Sequence, residues 1–134
     1  MAITFHPGPG VVLMCDFNTG FKPPEMIKLR PVVIISPRRR TSELCTVIPL
    51  STTVPDPVQP YHHRMDPRSL PGSLAREETW AKGDMVITIA RWRLDRVKIG
   101  KDGNGRRLYT THSVIPQDLE AIRRCVMEGL GIRP

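Results

Sequence analysis

The chain is 134 residues long, the length of one domain, and we predict a single domain over residues 1–134. Its 20 Lys and Arg residues against 13 Asp and Glu give a net charge of +7, which favours a nucleic acid or other acidic partner over an ordinary charged surface, and an acidic protein partner is compatible with either interpretation. No stretch approaches the roughly 18 apolar residues of a membrane span, and residues 1–7 lack the features of a signal peptide, so we expect a cytoplasmic protein with no membrane segment.

The first half of the sequence predicts strands separated by turns rich in proline and glycine. The expected strands are residues 11–17, 31–36 and 43–50, separated by a loop at 18–29 and a basic turn at 37–42. The second run, Pro-Val-Val-Ile-Ile-Ser, is typical of a strand buried on both faces. Cys15, Cys45 and Cys125 are an odd number and lie in apolar runs, so we expect reduced core side chains.

The second half of the sequence predicts further short strands and one helix. The expected strands are residues 61–66 at a sheet edge, residues 84–89, and a hairpin of 96–99 and 107–111 around the glycine-rich turn 100–105, while 51–60 and 67–78 are irregular. A helix is predicted from Pro116, and Gly129 and Gly131 are expected to end it. These elements predict a mainly β fold of β-rich α+β type, a small barrel or strongly curved sheet with a C-terminal helix.

Several kinds of site are not predicted. The sequence has no Cys-x-x-Cys or His-Glu-x-x-His motif, and the adjacent His62 and His63 would point to opposite faces of a strand, so we predict no metal site. It has no phosphate-binding glycine motif and no Gly-x-Ser-x-Gly motif, so we expect neither a nucleotide cofactor nor a serine hydrolase.

Polar side chains at the ends of predicted strands are the remaining candidates. Arg30 precedes the most apolar strand, where its guanidinium could fork onto a phosphate. Ser51 and Thr52 follow the third strand, and their hydroxyls could donate to phosphate oxygens. Lys82 and Asp84 open the predicted fourth strand and would share one of its faces. Each has a structural alternative: an ion pair, a turn residue or a solvated strand edge.

Taken in order, these residues form a pattern. Residues 30–36 (Arg-Pro-Val-Val-Ile-Ile-Ser) and 47–52 (Val-Ile-Pro-Leu-Ser-Thr) are preceded by Pro9-Gly10-Val11-Val12, Asp16, Gly20 and Glu25, and are followed by Ala81-Lys82-Gly83-Asp84. The pattern resembles the MazF/PemK (Kid) family of type II toxin–antitoxin toxins over about residues 9–130. The resemblance implies an SH3-like barrel of the MazF/PemK/CcdB type with a C-terminal helix.

The same resemblance implies a function. It implies a toxin that acts as a sequence-selective endoribonuclease, cleaves mRNA without a metal or other cofactor, and forms a homodimer. It also implies an antitoxin partner whose acidic tail covers the RNA groove, and a net charge of +7 agrees with both RNA and such a tail.

Five residues take catalytic roles by this resemblance. Arg30 would hold the phosphate and join in proton transfer, Ser51 and Thr52 would supply hydroxyl donors, and Asp84 would be the base with Lys82 as the acid. Lys82 stands where the Kid branch has an arginine. Because lysine is a point charge rather than a fork, the geometry around the phosphate would be looser.

A second group of residues is predicted to bind RNA: Glu25, Arg38, Arg39, Tyr61, His62 and His63. Tyr61 could stack on a base, and either histidine could contribute to proton transfer because histidine titrates near neutral pH.

Two alternatives to the endoribonuclease stay open. One is a relative that binds RNA or an antitoxin without cutting, and the other is a CcdB-like toxin that binds gyrase. The motif at residues 30–36 and the Ser51 and Thr52 hydroxyls favour the endoribonuclease.

Overall fold

The computed structural model describes residues 2–133 of the chain. These residues contain ten short strands and one α-helix. The strands are β1 (Val11–Asp16), β2 (Leu29–Ile34), β3 (Leu44–Ser51), β4 (His62–Arg64), β5 (Trp80–Lys82), β6 (Ile87–Ala90), β7 (Leu94–Asp95), β8 (Val97–Lys101), β9 (Arg107–Thr110) and β10 (His112–Ser113). The helix is α1 (Pro116–Leu130), and 3-10 turns lie at Pro67–Ser69, Gly72–Arg76 and Arg91–Arg93.

The sheet is antiparallel. It curls because two of its strands each pair, along a single edge, with two different neighbouring strands. Its order is β10-β1-β2-β3-β5-β4, and the edge of β3 that faces away from β2 pairs first with β6 and then with β5. Strand β1 divides one edge between β10 and β7 in the same way, and β8 and β9 form a separate hairpin. The predicted mainly β fold with a C-terminal helix is confirmed.

Residues 32–34 of strand β2 are buried on both faces, as the sequence predicts. The strand begins at Leu29 rather than at Pro31 and ends at Ile34, so Arg30 lies within it and Leu29 is exposed. Val32 and Ile34 belong to one hydrophobic cluster, inside the curl, and Val33 belongs to the other, which Ile122 of α1 helps to form. Each of these four side chains is fully buried. Helix α1 therefore covers one face of the sheet, and the curvature of the sheet encloses the apolar side chains of the opposite face.

The segment around residue 82 differs from its prediction. Residues 80–82 form β5, which the sequence analysis missed, and the strand predicted over 84–89 begins only at Ile87. Gly83 and Asp84 form a turn, closed by a hydrogen bond of 3.2 Å from the Met85 N–H to the Lys82 carbonyl. The prediction that Lys82 and Asp84 share a face of one strand is therefore wrong.

Helix α1 starts at Pro116 as predicted, but Gly129 does not end it. Gly131 ends the helix in the left-handed conformation, with φ of 71°. Gly129 lies within the last turn, where a Cβ would come 2.7 Å from the Cα of Asp84. This glycine allows the helix to approach the β5–β6 turn closely. Within residues 2–133, no helix is long and apolar enough to cross a membrane.

The three cysteines are buried and free of disulfides, as predicted. Burial raises the pKa of the Cys15 thiol to about 12 and also raises the pKa values of Cys45 and Cys125. These thiols are therefore protonated near neutral pH and are poor nucleophiles.

We expect Gly83→Ala to lower the free energy of unfolding by about 1–3 kcal/mol, because overpacking forces the backbone apart. A methyl group at Gly83 would lie 2.6 Å from both the backbone carbon and the Cβ of Cys125 in α1. Urea denaturation measures the change. Gly103→Ala, in the β8–β9 turn with open space around it, is the matched control. Equal stability of the two variants would contradict the close contact between the turn and the helix.

Candidate active site

A cleft of about 260 Å³ opens where the ends of three strands meet the loop between β1 and β2. Four residues predicted from the sequence line it, namely Glu25, Arg30, Ser51 and Lys82. Its remaining wall includes residues that the sequence analysis did not single out, among them Met26, Ile27, Thr53 and Met85.

Strand register brings three of these side chains to one face. The ladder between β2 and β3 ends at the pair Val32 and Pro49, and the same register two residues further places Arg30 opposite Ser51. Ser51 pairs in turn with Trp80 of β5, so Lys82, two residues further, projects from the same face as Trp80. This face is opposite to the one that α1 covers, since Ala81 belongs to the cluster under the helix.

One of the three nitrogens of the Arg30 guanidinium makes a hydrogen bond within residues 2–133. Its Nε donates to the carbonyl oxygen of Ile27 at 3.1 Å, which fixes the side chain against the β1–β2 loop. Within residues 2–133 its other two nitrogens make no hydrogen bond or ion pair. These donors are therefore available to an anion in the cleft.

The cleft has a net positive charge. Of its lining residues within the described chain, Glu25 alone carries a carboxylate, against the cations Arg30 and Lys82. The Glu25 Oε1 atom accepts a weak hydrogen bond of 3.3 Å from the Lys22 N–H, and the rest of this exposed carboxylate faces solvent. The Lys82 ammonium has no ion-pair partner among residues 2–133.

Ser51 and Thr52 separate at the end of β3. The Ser51 Oγ accepts the Thr53 N–H at 3.1 Å, so its own hydrogen is free to donate into the cleft. Thr52 lies in the bend that follows β3, is exposed and does not line the cleft. Thr53 occupies the position that the sequence analysis gave to Thr52.

Asp84 also lies outside the cleft wall. It is exposed on the turn between β5 and β6, where its backbone packs against Gly129 of α1, and Met85 lines the cleft instead. Its proposed role as a base stays a prediction. No group of three or more His, Cys, Asp or Glu side chains suited to a metal ion occurs in residues 2–133.

The two adjacent histidines face opposite sides of β4, as predicted. His62 pairs with Lys82 across the sheet and so shares the face of the cleft. Its Nδ1 accepts the Gln59 N–H at 3.0 Å, so in the neutral ring the proton is on Nε2, and Tyr61 packs edge-on against the ring at 4.6 Å. His63 points to the helix face.

His63 belongs to a buried polar network at the start of α1. Its Nε2 lies 2.8 Å from Oδ1 of Asp118, a carboxylate that is only 4% exposed. The other carboxylate oxygen accepts the Asp66 N–H at 2.9 Å and the Ser69 hydroxyl at 2.5 Å. The network ties α1 to β4 and the first 3-10 turn, and gives His63 a structural role; contact of His63 with RNA stays a prediction.

Arg38 and Arg39 lie at the far end of β2 from Arg30. Both are exposed in the β2–β3 turn, and the Arg38 guanidinium lies beside Gly8. Neither lines the cleft. Their predicted contact with RNA would require a strand that extends along the whole length of β2.

The chain is similar in sequence to a known protein family and to a known bacterial protein. A family model described as "PemK-like, MazF-like toxin of type II toxin-antitoxin system" matches residues 9–127. The uncharacterised protein YifN of Escherichia coli (strain K12) is 32% identical over 151 aligned positions, which cover 98% of this chain and 96% of YifN.

Solved structures agree in fold. A mycobacterial endoribonuclease, determined in complex with its cognate antitoxin, superimposes with a TM-score of 0.62 at 21% identity, covering 96% of this chain and 98% of that one. MazF from Deinococcus radiodurans gives a TM-score of 0.65 at 17% identity, covering 96% and 99%. At these identities the likeness establishes the fold.

The separation of the two histidines predicts different effects on stability. We expect His63→Ala to lower the free energy of unfolding by about 1–3 kcal/mol, because it leaves a buried carboxylate oxygen of Asp118 without its partner. His62→Ala, the matched control one residue away, should change it by no more than about 0.5 kcal/mol. Chemical denaturation of both variants measures this, and equal losses would contradict the proposed division of β4.

Proposed function

Because the chain belongs to the family of PemK-like, MazF-like toxins of type II toxin–antitoxin systems, we propose that it is an endoribonuclease that cleaves mRNA at selected sequences without a metal ion. The cleft at the ends of β2, β3 and β5 is the observation that supports this most directly. It combines two cations without ion-pair partners in the described chain, a free hydroxyl donor and one carboxylate. The endoribonuclease activity of the mycobacterial structural neighbour is consistent with the proposal.

These groups suit attack of a ribose 2′-oxygen on the adjacent phosphorus. Glu25 takes the proton of the 2′-hydroxyl as the new O–P bond forms, and Arg30 and Ser51 donate to the non-bridging phosphate oxygens. The bond from phosphorus to the 5′-oxygen then breaks, and Lys82 gives that oxygen a proton. The products are a 2′,3′-cyclic phosphate and a 5′-hydroxyl end.

The carboxylate of this proposal is Glu25 rather than Asp84, and the reason is position. Glu25 lines the cleft that contains Arg30, whereas Asp84 lies on the β5–β6 turn. His62 is a second hydrogen-bond donor beside Lys82, since its Nε2–H makes no hydrogen bond within residues 2–133 and the two residues are cross-strand partners. A histidine there would compensate for the looser hold of a lysine on the phosphate.

We further propose that the protein acts in the cytoplasm as a homodimer and is inhibited by an antitoxin with an acidic tail. The net charge of +7 and the positive cleft support an acidic partner. An exposed apolar surface on the face of β2 opposite to Arg30 supports self-association: Leu29 is 55% exposed, and it lines a separate cavity of about 290 Å³ with Met14 and Leu74.

A cleavage assay tests the proposal. The purified protein is incubated with a long RNA in EDTA, and the cut ends are mapped; we expect specific cuts that leave a 5′-hydroxyl. Arg30→Ala should slow cleavage by at least about 100-fold, because it removes the phosphate donor. Arg124→Ala, which removes an exposed arginine of α1, is the matched control and should cut normally. Absence of cleavage by the unmodified protein would instead favour a relative that binds without cutting.

The choice of base is tested by two conservative variants. We expect Glu25→Gln to lower the single-turnover rate of cleavage by about 10²–10⁴, the usual contribution of a general base, and Asp84→Asn to leave it nearly unchanged. Thermal unfolding of each variant verifies that the fold is intact. The reverse pattern would assign the base to Asp84 and require the β5–β6 turn to move on binding RNA.

A further inference from the structure

Trp92 is the most exposed large apolar side chain in the described part of the chain, with 64% of its surface accessible. It lies in the middle of the 3-10 turn Arg91–Arg93, and its indole N–H makes no hydrogen bond within residues 2–133. Tryptophan is highly buried on average, so an indole presented in this way requires an explanation.

The turn that carries Trp92 is fastened on both sides. Arg91 donates three hydrogen bonds of 3.0 to 3.3 Å to the Glu43 carboxylate and a fourth to the Thr4 carbonyl. Arg93 donates from one nitrogen to the carbonyl oxygens of Asp16 and Thr19, each at 3.0 Å. The outward position of the indole is therefore set by its neighbours rather than by a loose loop.

Arg93 also connects the indole to the loop of the cleft. Its guanidinium lies 4.7 Å from the Trp92 ring and 4.9 Å from the Phe21 ring, and so stands between two aromatic side chains. Phe21 directly precedes the turn in which Glu25 N–H bonds to the Lys22 carbonyl at 2.8 Å. A surface consisting of Trp92, Arg93 and Phe21, here called the indole platform, thus includes a residue of the same β1–β2 loop that forms part of the cleft wall.

The charge of the platform favours a nucleic acid. Arg93 bonds only to carbonyl oxygens and aromatic rings within residues 2–133, so no carboxylate neutralises its guanidinium. A cation on one face of the indole leaves the other face for a flat partner. Unpaired bases stack on aromatic side chains of this kind while nearby cations bind the phosphates.

We propose that the indole platform is a second RNA-binding site, at which a base of a single strand that extends beyond the cleft stacks on Trp92. The proposal rests on the proposed function, since it takes the same strand to pass through the cleft. The platform adds affinity for long single strands and takes no part in the bond that breaks.

Tryptophan fluorescence and affinity test the platform without cleavage. The ligand is a single-stranded 2′-O-methyl oligonucleotide, which lacks the attacking hydroxyl and stays intact. We expect it to quench the emission of the unmodified protein, and Trp92→Phe, which retains only Trp80, to lose most of that quenching. Trp92→Ala should bind about 5- to 150-fold more weakly, the range for loss of one stacked base. Leu108→Ala, which trims another exposed apolar side chain, is the matched control.

The outcomes distinguish the platform from the catalytic proposal. Unchanged affinity and quenching in the Trp92 variants overturn the platform, even if RNA is cleaved normally. Loss of affinity in these variants supports the platform, even if the unmodified protein proves unable to cut RNA. Two further results overturn it: quenching by polyglutamate but not by the oligonucleotide, which indicates an acidic polypeptide, and loss of self-association in sedimentation with unchanged RNA affinity, which indicates a second copy of this chain.

Discussion

Residues 32–34 of strand β2 are buried on both faces of the sheet, and the neighbouring elements must therefore supply apolar side chains on each side. Val32 and Ile34 fill the inside of the curl, while Val33 packs under the helix. The strand leaves this environment only at its ends. Arg30 stands at one end, where the backbone is rigid and the guanidinium can still reach solvent, so the most apolar strand is also the support for the strongest phosphate donor.

The alternation of side chains then divides the molecule into two working faces. One face lies opposite the helix. It presents four polar side chains, one each from β2, β3, β5 and β4: Arg30, Ser51, Lys82 and His62. The neighbouring residues Ala81 and His63 point to the other face, on the side of α1. A single-residue shift in β4 or β5 would exchange these roles, which is why the turn chemistry around them matters to the cleft.

Contact between the helix and the β5–β6 turn sets that register. Gly83 and Gly129 allow backbone to lie against backbone, and the Asp118 network fixes the start of α1 to β4. Both contacts lie on the helix side, yet they determine where Lys82 and His62 stand on the other side. Stability of the helix packing and geometry of the cleft are therefore linked, although no helix residue lines the cleft.

Local sequence patterns are enough to predict strands β1, β2 and β3, the start of the helix, and the position of Arg30 and Ser51 near strand ends, because hydrophobic periodicity and proline placement are local properties. The folded chain is needed to bring Glu25 and Lys82 into one cleft that excludes Asp84, and to supply Asp118 as the partner of His63. The deciding turn at Gly83 and Asp84 depends on the approach of a helix more than forty residues away in the chain. The only local trace of this contact is a pair of glycines, Gly83 and Gly129, which local patterns alone interpret as a strand start and a helix end.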